Sequence, residues 1–223
     1  MVPVGGRTRL TGEQVAAAGL EGWALLLGGL QTRARTGDFA TGLALVAAVG
    51  AAAEEADHHP DVDLRYAHVD LRLTSHDAWG VTGRDVRLAR TVTSIAEGLG
   101  VGLDRSTVSR LELALDTPDR AAVQPFWRAV LGMDGRTAPG VDDELRDPYG
   151  ALPPVRFQRS GTEEPRQRWH PDLWLDPAQV QPRIDAAVAA GGTLVSDAHA
   201  PRSWVLADAE GNRVCLCTWQ GRG

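Results

Sequence analysis

The sequence predicts an α+β protein of two units, and three observations carry that reading. Helical and period-two apolar segments follow one another in the order α-β-β-α-β-β-α through residues 1–98, which implies an antiparallel sheet. Gly98, Gly100 and Gly102 then interrupt the pattern. Beyond them, a stretch of about 60 residues occurs twice. The interruption places a linker near residues 99–107 and divides the chain into units at 1–103 and 104–223.

Thr11-x-x-Gln14 has the capping-box spacing and starts a short helix to about Gly19. Between Trp23 and Phe39, Gly28-Gly29 and Gly37-Asp38 mark turns around short strands. Asp38 is placed to N-cap a helix from Phe39 to about Asp57, which Pro60 ends because the residue before a proline avoids helical geometry. Residues 61–75 read as a hairpin, with Val69, Leu71 and Leu73 alternating with Asp70, Arg72 and Thr74. Thr82-x-x-Asp85 opens a third helix, to about Glu97.

The second unit begins with a strand at 108–115, where Leu111, Leu113 and Leu115 alternate with Arg110, Glu112 and Ala114. A helix from Asp119 to Val130 follows, ended by Leu131-Gly132. LALD at 113–116 is answered by LWLD at 173–176, and Leu131-Gly132 by Gly191-Gly192. A duplicated β-α-β module follows from that echo.

Composition excludes several classes of function. The net charge of −6 disfavours nucleic acid or an anionic membrane as a main partner. Up to Leu103 there are 9 Arg against 12 acids, and 14 against 17 after it, so neither unit is a basic tail. No lysine is present, so Schiff-base chemistry through lysine is excluded. The uncharged run from Phe39 to Ala53 is 15 residues, too short to span a bilayer, and reads as a buried helix. Cys215 and Cys217 share a strand face at about 6.5–7 Å, at the edge of disulfide reach. With no disulfide framework, a reducing cytoplasm is the expected setting.

Four of the six histidines, His58, His59, His68 and His76, lie between Glu54 and Asp85. If the hairpin turn centres near Tyr66–His68, cross-strand partners have numbers summing to about 134–136, and His76 folds back beside His58-His59. Imidazoles exchange protons near neutral pH, so such a cluster suits general acid–base catalysis. Glu54 stands about one helical turn before His58, and Asp57 lies beside the pair. Asp85 is placed to hold a ring nitrogen and fix its tautomer. His68 reads as a surface strand residue. Metal-ligand spacings such as H-x-x-x-H are absent here.

Glu54, His58-His59-Pro60, Tyr66, His76 and Asp85 together resemble the pterin-4a-carbinolamine dehydratase family over about residues 8–98, with Trp23 and Asp38-Phe39 also in place. Val62 stands where family members usually carry a large aromatic residue. The resemblance implies dehydration of a 4a-hydroxytetrahydropterin to quinonoid dihydropterin, a step in cofactor recycling for aromatic amino-acid hydroxylases. It implies acid–base work for His58 and His76, and mainly pterin holding for His59. Glu54, Asp57, Tyr66 and Asp85 are the expected binding and orienting residues. The pterin is the substrate, no cofactor is expected, and a homo-oligomer is.

Phe126-Trp127-Arg128-Ala129-Val130-Leu131-Gly132-Met133, His170-Pro171-Asp172-Leu173-Trp174-Leu175 and Asp208-Ala209-Glu210-Gly211-Asn212 resemble the vicinal oxygen chelate superfamily, the glyoxalase and bleomycin-resistance fold, over about residues 108–219. The resemblance implies paired βαβββ modules curled around a cavity. Metal-using members carry His or Glu at four strand positions. Glu112 and His170 match two of these, Gln158 falls near a third, and Arg213 stands at the last. Arginine cannot ligate a metal, so no catalytic metal is expected. Glu112, His170 and Trp174 are the candidate cavity residues for a second small ligand, with Trp169 and Trp204 nearby. The alternative reading puts binding or catalysis in this second unit and leaves the first as an assembly or transcription-partner module.

Overall fold

The computed structural model describes residues 7–135, 144–161, 168–207, 211 and 213–222. The motif Asp208-Ala209-Glu210 and Asn212 lie outside the described residues. Two compact units are formed: Met1–Val108 with Leu175–Gln179 and Trp219–Gly223, and Ser109–Trp174 with Val180–Thr218.

In the first unit, helix α1 (Gly12–Ala16) starts on a complete capping box, with Thr11 and Gln14 each bonding the other's backbone N–H. Strands β1 (Ala24–Leu26) and β2 (Gly29–Arg35) pair antiparallel across Leu27-Gly28, both at positive φ. Two left-handed residues give the turn a twist that matches the strands, and Gly28 adopts that geometry without strain. Helix α2 (Phe39–Ala56) begins on the Asp38 carboxylate, which accepts from the Thr41 N–H at 2.7 Å. It ends at Asp57 in the left-handed region, φ 45°, three residues before Pro60. A left-handed C-cap therefore stops the helix before the proline can.

Strands β3 (Asp61–Leu64) and β4 (His68–Leu73) form the expected hairpin. Helix α3 (Gly83–Gly98) starts on the Thr82–Asp85 capping box. Strand β5 (Gly102–Asp104) falls inside the stretch expected as a linker. It pairs with β2, where Arg35 bonds Asp104. The sheet order is β1-β2-β4-β3, antiparallel throughout, with β5 also against β2.

Val69, Leu71 and Leu73 of β4 are buried, and they meet Leu45, Val49 and Ala53 of α2 and Leu88, Ala89, Val92 and Ala96 of α3 in one core. Helix α2 has the length and composition of a membrane span. Four of its positions, Gly42, Leu45, Val49 and Ala53, are buried within the protein. The other side of α2 is apolar too, with Phe39 and Leu43 exposed.

The second unit contains β6 (Arg110–Thr117), α4 (Arg120–Leu131), β7 (Asp134–Gly135), β8 (Glu144–Arg146) and β9 (Val155–Arg159). Then come β10 (Trp169–Trp174), α5 (Val180–Ala189), β11 (Thr193–His199), β12 (Ser203–Ala207) and β13 (Arg213–Cys217). This is βαβββ written twice. One sheet holds all eight strands in the order β11-β12-β13-β10-β6-β9-β8-β7. The first strands of the two modules, β6 and β10, pair antiparallel at the centre. Each also pairs parallel with the last strand of its own module. Leu115, Leu145, Val155 and Phe157 form the core with Met133 on one face of this sheet, and Trp127 of α4 packs against it. Even-numbered residues of β6, β9 and β10 project from the other face.

Candidate functional site

Helix α3 positions the centre of the first site. As the third helical residue, Asp85 turns its carboxylate back toward the helix start. Its Oδ2 accepts from the Thr82 backbone N–H at 2.7 Å, the Ser75 hydroxyl at 2.7 Å and the Thr82 hydroxyl at 3.1 Å. Its Oδ1 lies 2.8 Å from His58 Nε2. Asp85 is fully buried and His58 nearly so. With the carboxylate accepting, His58 donates from Nε2, and the Nδ1 lone pair stays available for a proton.

The other histidines lie outside this buried centre. His59 is exposed, and its Nε2 meets the exposed Glu54 carboxylate at 3.1 Å. His76 is exposed in the turn after β4, one residue beyond Ser75. Asp85 thus ties together the segments that carry His58 and His76 through its two oxygens. The hairpin register sums to 133, as in Asp61↔Arg72 and Leu64↔Val69, one less than the lowest sum expected. The turn is centred between Tyr66 and Ala67, a shift too small for the alternation of residues to reveal. Extended past the paired residues, the sum sets Ser75, rather than His76, against His58.

Tyr66 is 75% exposed at that turn, and Asp57 is the exposed cap of α2. His68 opens β4 opposite Arg35. Ser75 and Thr82 are contributors that the histidine spacing does not reveal. Thr82 is signalled by its capping box, whereas Ser75 has no comparable signal.

On the polar face of the second unit, Glu112 of β6 and Asp172 of β10 are register partners. Arg156 of β9 reaches both, with Nε 3.0 Å from Glu112 Oε2 and Nη2 on Asp172 Oδ2. Burial pushes the Glu112 carboxyl above its usual range, and Arg156 offsets only part of that. Burial also works against Asp172, but His170 and Arg156 outweigh it and hold that carboxyl below its usual range. The guanidinium, despite its own burial, is held above its ordinary value by the two carboxylates. His170, on the same face, is raised to about 10, by Asp172 first and Cys215 second.

Several ligand positions differ from the sequence expectation. The side chain between Glu112 and Asp172 is Arg156, while Gln158 accepts from Arg156 Nη1 at 2.9 Å. On β13 the residue in register with Asp172 is Cys215, two beyond Arg213. Trp174 is buried on the Asp172 side of β10. Trp169 is on the opposite side, stacked edge-on against Trp127 at 4.8 Å and 81°. Trp204 also alternates away from this face, because its neighbour Val205 is the partner of Cys215. Neither Arg156 nor Cys215 matches a motif, and only strand register brings them to the others.

Against known proteins, a family profile described as pterin 4 alpha carbinolamine dehydratase matches residues 8–95. A Koribacter versatilis (strain Ellin345) protein, provisionally named as that dehydratase, is 40% identical over 82 residues, 37% of this chain and 87% of that protein. The chain belongs to the pterin-4-alpha-carbinolamine dehydratase family. A Nocardia farcinica relative with the same provisional name is 39% identical over 89 residues, 39% of this chain and 94% of that protein. The family match spans Glu54 through Asp85, and so includes the buried His58–Asp85 pair.

Residues 112–217 match a glyoxalase-like domain, which the dehydratase relatives do not account for. A solved Brucella melitensis structure, described as a transcriptional coactivator/pterin dehydratase, is 32% identical and covers 40% of this chain and 99% of its own, with TM-score 0.39. A glyoxalase/bleomycin resistance protein/dioxygenase superfamily member from Vibrio splendidus 12B01 is 15% identical and covers 50% and 99%, with TM-score 0.34.

Proposed function

We propose that the first unit dehydrates a pterin 4a-carbinolamine to the quinonoid dihydropterin, acting as a hydro-lyase. The observation that carries this reading is the buried His58–Asp85 pair, set within the family's histidine spacing. The reaction breaks the C4a–OH bond and removes the proton on N5, so one proton must be delivered and one taken. Asp85 fixes His58 by holding Nε2, which leaves Nδ1 to exchange a proton with the pterin. His76 supplies the second imidazole from the exposed turn. His59 and Glu54 hold the ring system, with Asp57 and Tyr66 at the margin. The pterin is the substrate, and the electron balance calls for no redox cofactor.

The test is 4a-carbinolamine dehydration by the purified protein beside His58→Ala and His76→Ala. Each substitution is expected to lower the catalysed rate by about 10²–10⁴-fold. Equal rates for all three proteins would overturn the reading.

In this reading the protein works in the cytoplasm as a homo-oligomer. Exposed Phe39 and Leu43 on α2 support self-association, and sedimentation at assay concentration checks it. A second reading places small-molecule binding or catalysis in the glyoxalase-like unit, with the first unit a non-catalytic assembly or transcription-partner module. The buried charges around Arg156 favour giving the second unit a ligand of its own.

A further inference from the structure

A cleft of about 560 Å³ opens in the first unit, and none of His58, His59, His76 and Asp85 lines it. All of its lining residues belong to that unit, which includes Leu175–Gln179 and Trp219–Gly223. Val15, Leu20, Leu25 and Leu30 line it together with Trp23 and Trp219. Trp23 already gives its indole N–H to the Thr93 hydroxyl at 3.1 Å. Trp219 rests directly on Gly12, where a Cβ would stand 2.5 Å from the indole Cε3. The volume lies in the range of small-molecule sites, about 300–1,000 Å³.

Two opposite charges stand side by side in this apolar cleft. Asp176 precedes the 3₁₀ turn Pro177–Gln179, and its Oδ1 accepts from the Ala178 N–H at 2.9 Å. That bond fixes the carboxylate, and the side chain is only 7% exposed. Among the described residues, Oδ2 accepts no hydrogen bond, and Arg105 Nε lies 3.6 Å from it, beyond hydrogen-bonding distance. The half-exposed Arg105 guanidinium makes no hydrogen bond among those residues either. A buried carboxylate oxygen left unbonded costs free energy that a donor on a ligand would recover. Glu21 also lines the cleft, so two acids face one guanidinium. A plain anion would meet both acids, and a plain cation would leave Arg105 unbonded. A ligand carrying an ammonium beside a carboxylate satisfies both groups.

We propose that this cleft binds an α-amino acid with an apolar side chain, as the zwitterion. Arg105 takes the carboxylate, to which a guanidinium presents parallel N–H donors. Asp176 Oδ2 accepts from the ammonium. The apolar side chain of the ligand lies against Leu25, Leu30 and Trp219. The two family profiles match residues 8–95 and 112–217, so neither accounts for Arg105 or Trp219. The site is a property of this chain, independent of the pterin reaction.

The experiment titrates the full chain with L-phenylalanine and L-leucine by calorimetry. Beside them run the analogues lacking the ammonium (3-phenylpropionate, 4-methylpentanoate) and those lacking the carboxylate (2-phenylethylamine, 3-methylbutylamine). One equivalent of at least one amino acid is expected to bind, and its two analogues should each bind about 10-fold more weakly or worse. Arg105→Ala and Asp176→Asn should each weaken the amino acid by about 10-fold or more, whereas His58→Ala should bind as the parent does. Circular dichroism establishes that each variant is folded, and Arg105→Ala decides the matter if Asp176→Asn does not fold. No binding of either amino acid, or an analogue that binds as tightly as its amino acid, would overturn the proposal. Unchanged binding in Arg105→Ala would overturn it too. Binding lost in His58→Ala would place the ligand at the pterin site and overturn it equally.

Discussion

Each unit is built around a buried carboxylate facing a histidine, but the two carboxylates are completed differently. Asp85 has both oxygens engaged, by a backbone N–H, two hydroxyls and His58 Nε2. Asp172 gives one oxygen to a guanidinium and sets the other 3.3 Å from His170 Nε2, so two cationic side chains face it. Neutral donors orient Asp85 without cancelling its charge, which therefore acts on the imidazole and suits proton transfer. A permanent cation cancels charge on Asp172 and Glu112, and what remains suits the capture of a ligand. The same side-chain type thus serves proton movement in one sheet and binding in the other, according to what satisfies it.

The most disruptive way to break this contrast is Asp85→Asn. The amide cannot accept at both ends, so either the three donors on Oδ2 or His58 Nε2 loses its acceptor. Dehydration is expected to fall by about 10²-fold or more, and stability by about 2–4 kcal/mol as cap and network are lost. Retention of the parent rate would show that the pair is only structural. Next is Arg156→Met, which leaves two buried carboxylates facing each other. A loss of about 3–5 kcal/mol is expected in denaturant melts. A double variant with Glu112→Gln should regain part of it.

Glu112→Gln alone sharpens the comparison through pH. The raised carboxyl of Glu112 contributes its full stabilisation below the ordinary glutamate range and loses it as pH rises through the raised value. Thermal melts should therefore favour the parent most below about pH 4, with the Gln variant gaining ground toward pH 7. A difference that holds constant would mean that Arg156 neutralises Glu112 fully. The smallest effect is expected from Asp57→Gly. At φ 45° glycine relieves left-handed strain, so stability should rise by up to about 1 kcal/mol, with the dehydration rate falling less than about 3-fold because Asp57 stands only at the margin of the pterin site. A rate lowered by about 10-fold or more would instead make Asp57 a principal pterin contact.

Local chemistry was the most legible part of the sequence. Thr11/Gln14, Asp38 and Thr82/Asp85 mark helix starts because a cap depends on residues three apart. Alternation in Val69, Leu71 and Leu73 marks a half-buried strand for a similarly local reason. The echo of LALD in LWLD reveals two modules, and these strands pair at the centre of the second sheet. Strand β5 was hidden because three residues beside glycines carry too little pattern, and its pairing with β2 is a tertiary matter. The roles of Ser75, Arg156 and Cys215 depend on register between strands distant in sequence. A one-residue uncertainty in register exchanges one face for the other, as with Ser75 and His76.

Asp85 closes the first turn of α3 and holds His58 with the same carboxylate. Any fluctuation that frays the start of that helix therefore also releases the imidazole. The amide hydrogen of Thr82, bonded to Asp85 Oδ2, should exchange with solvent only when the site itself comes apart. Its exchange rate would then count, with no substrate present, how often the catalytic arrangement opens.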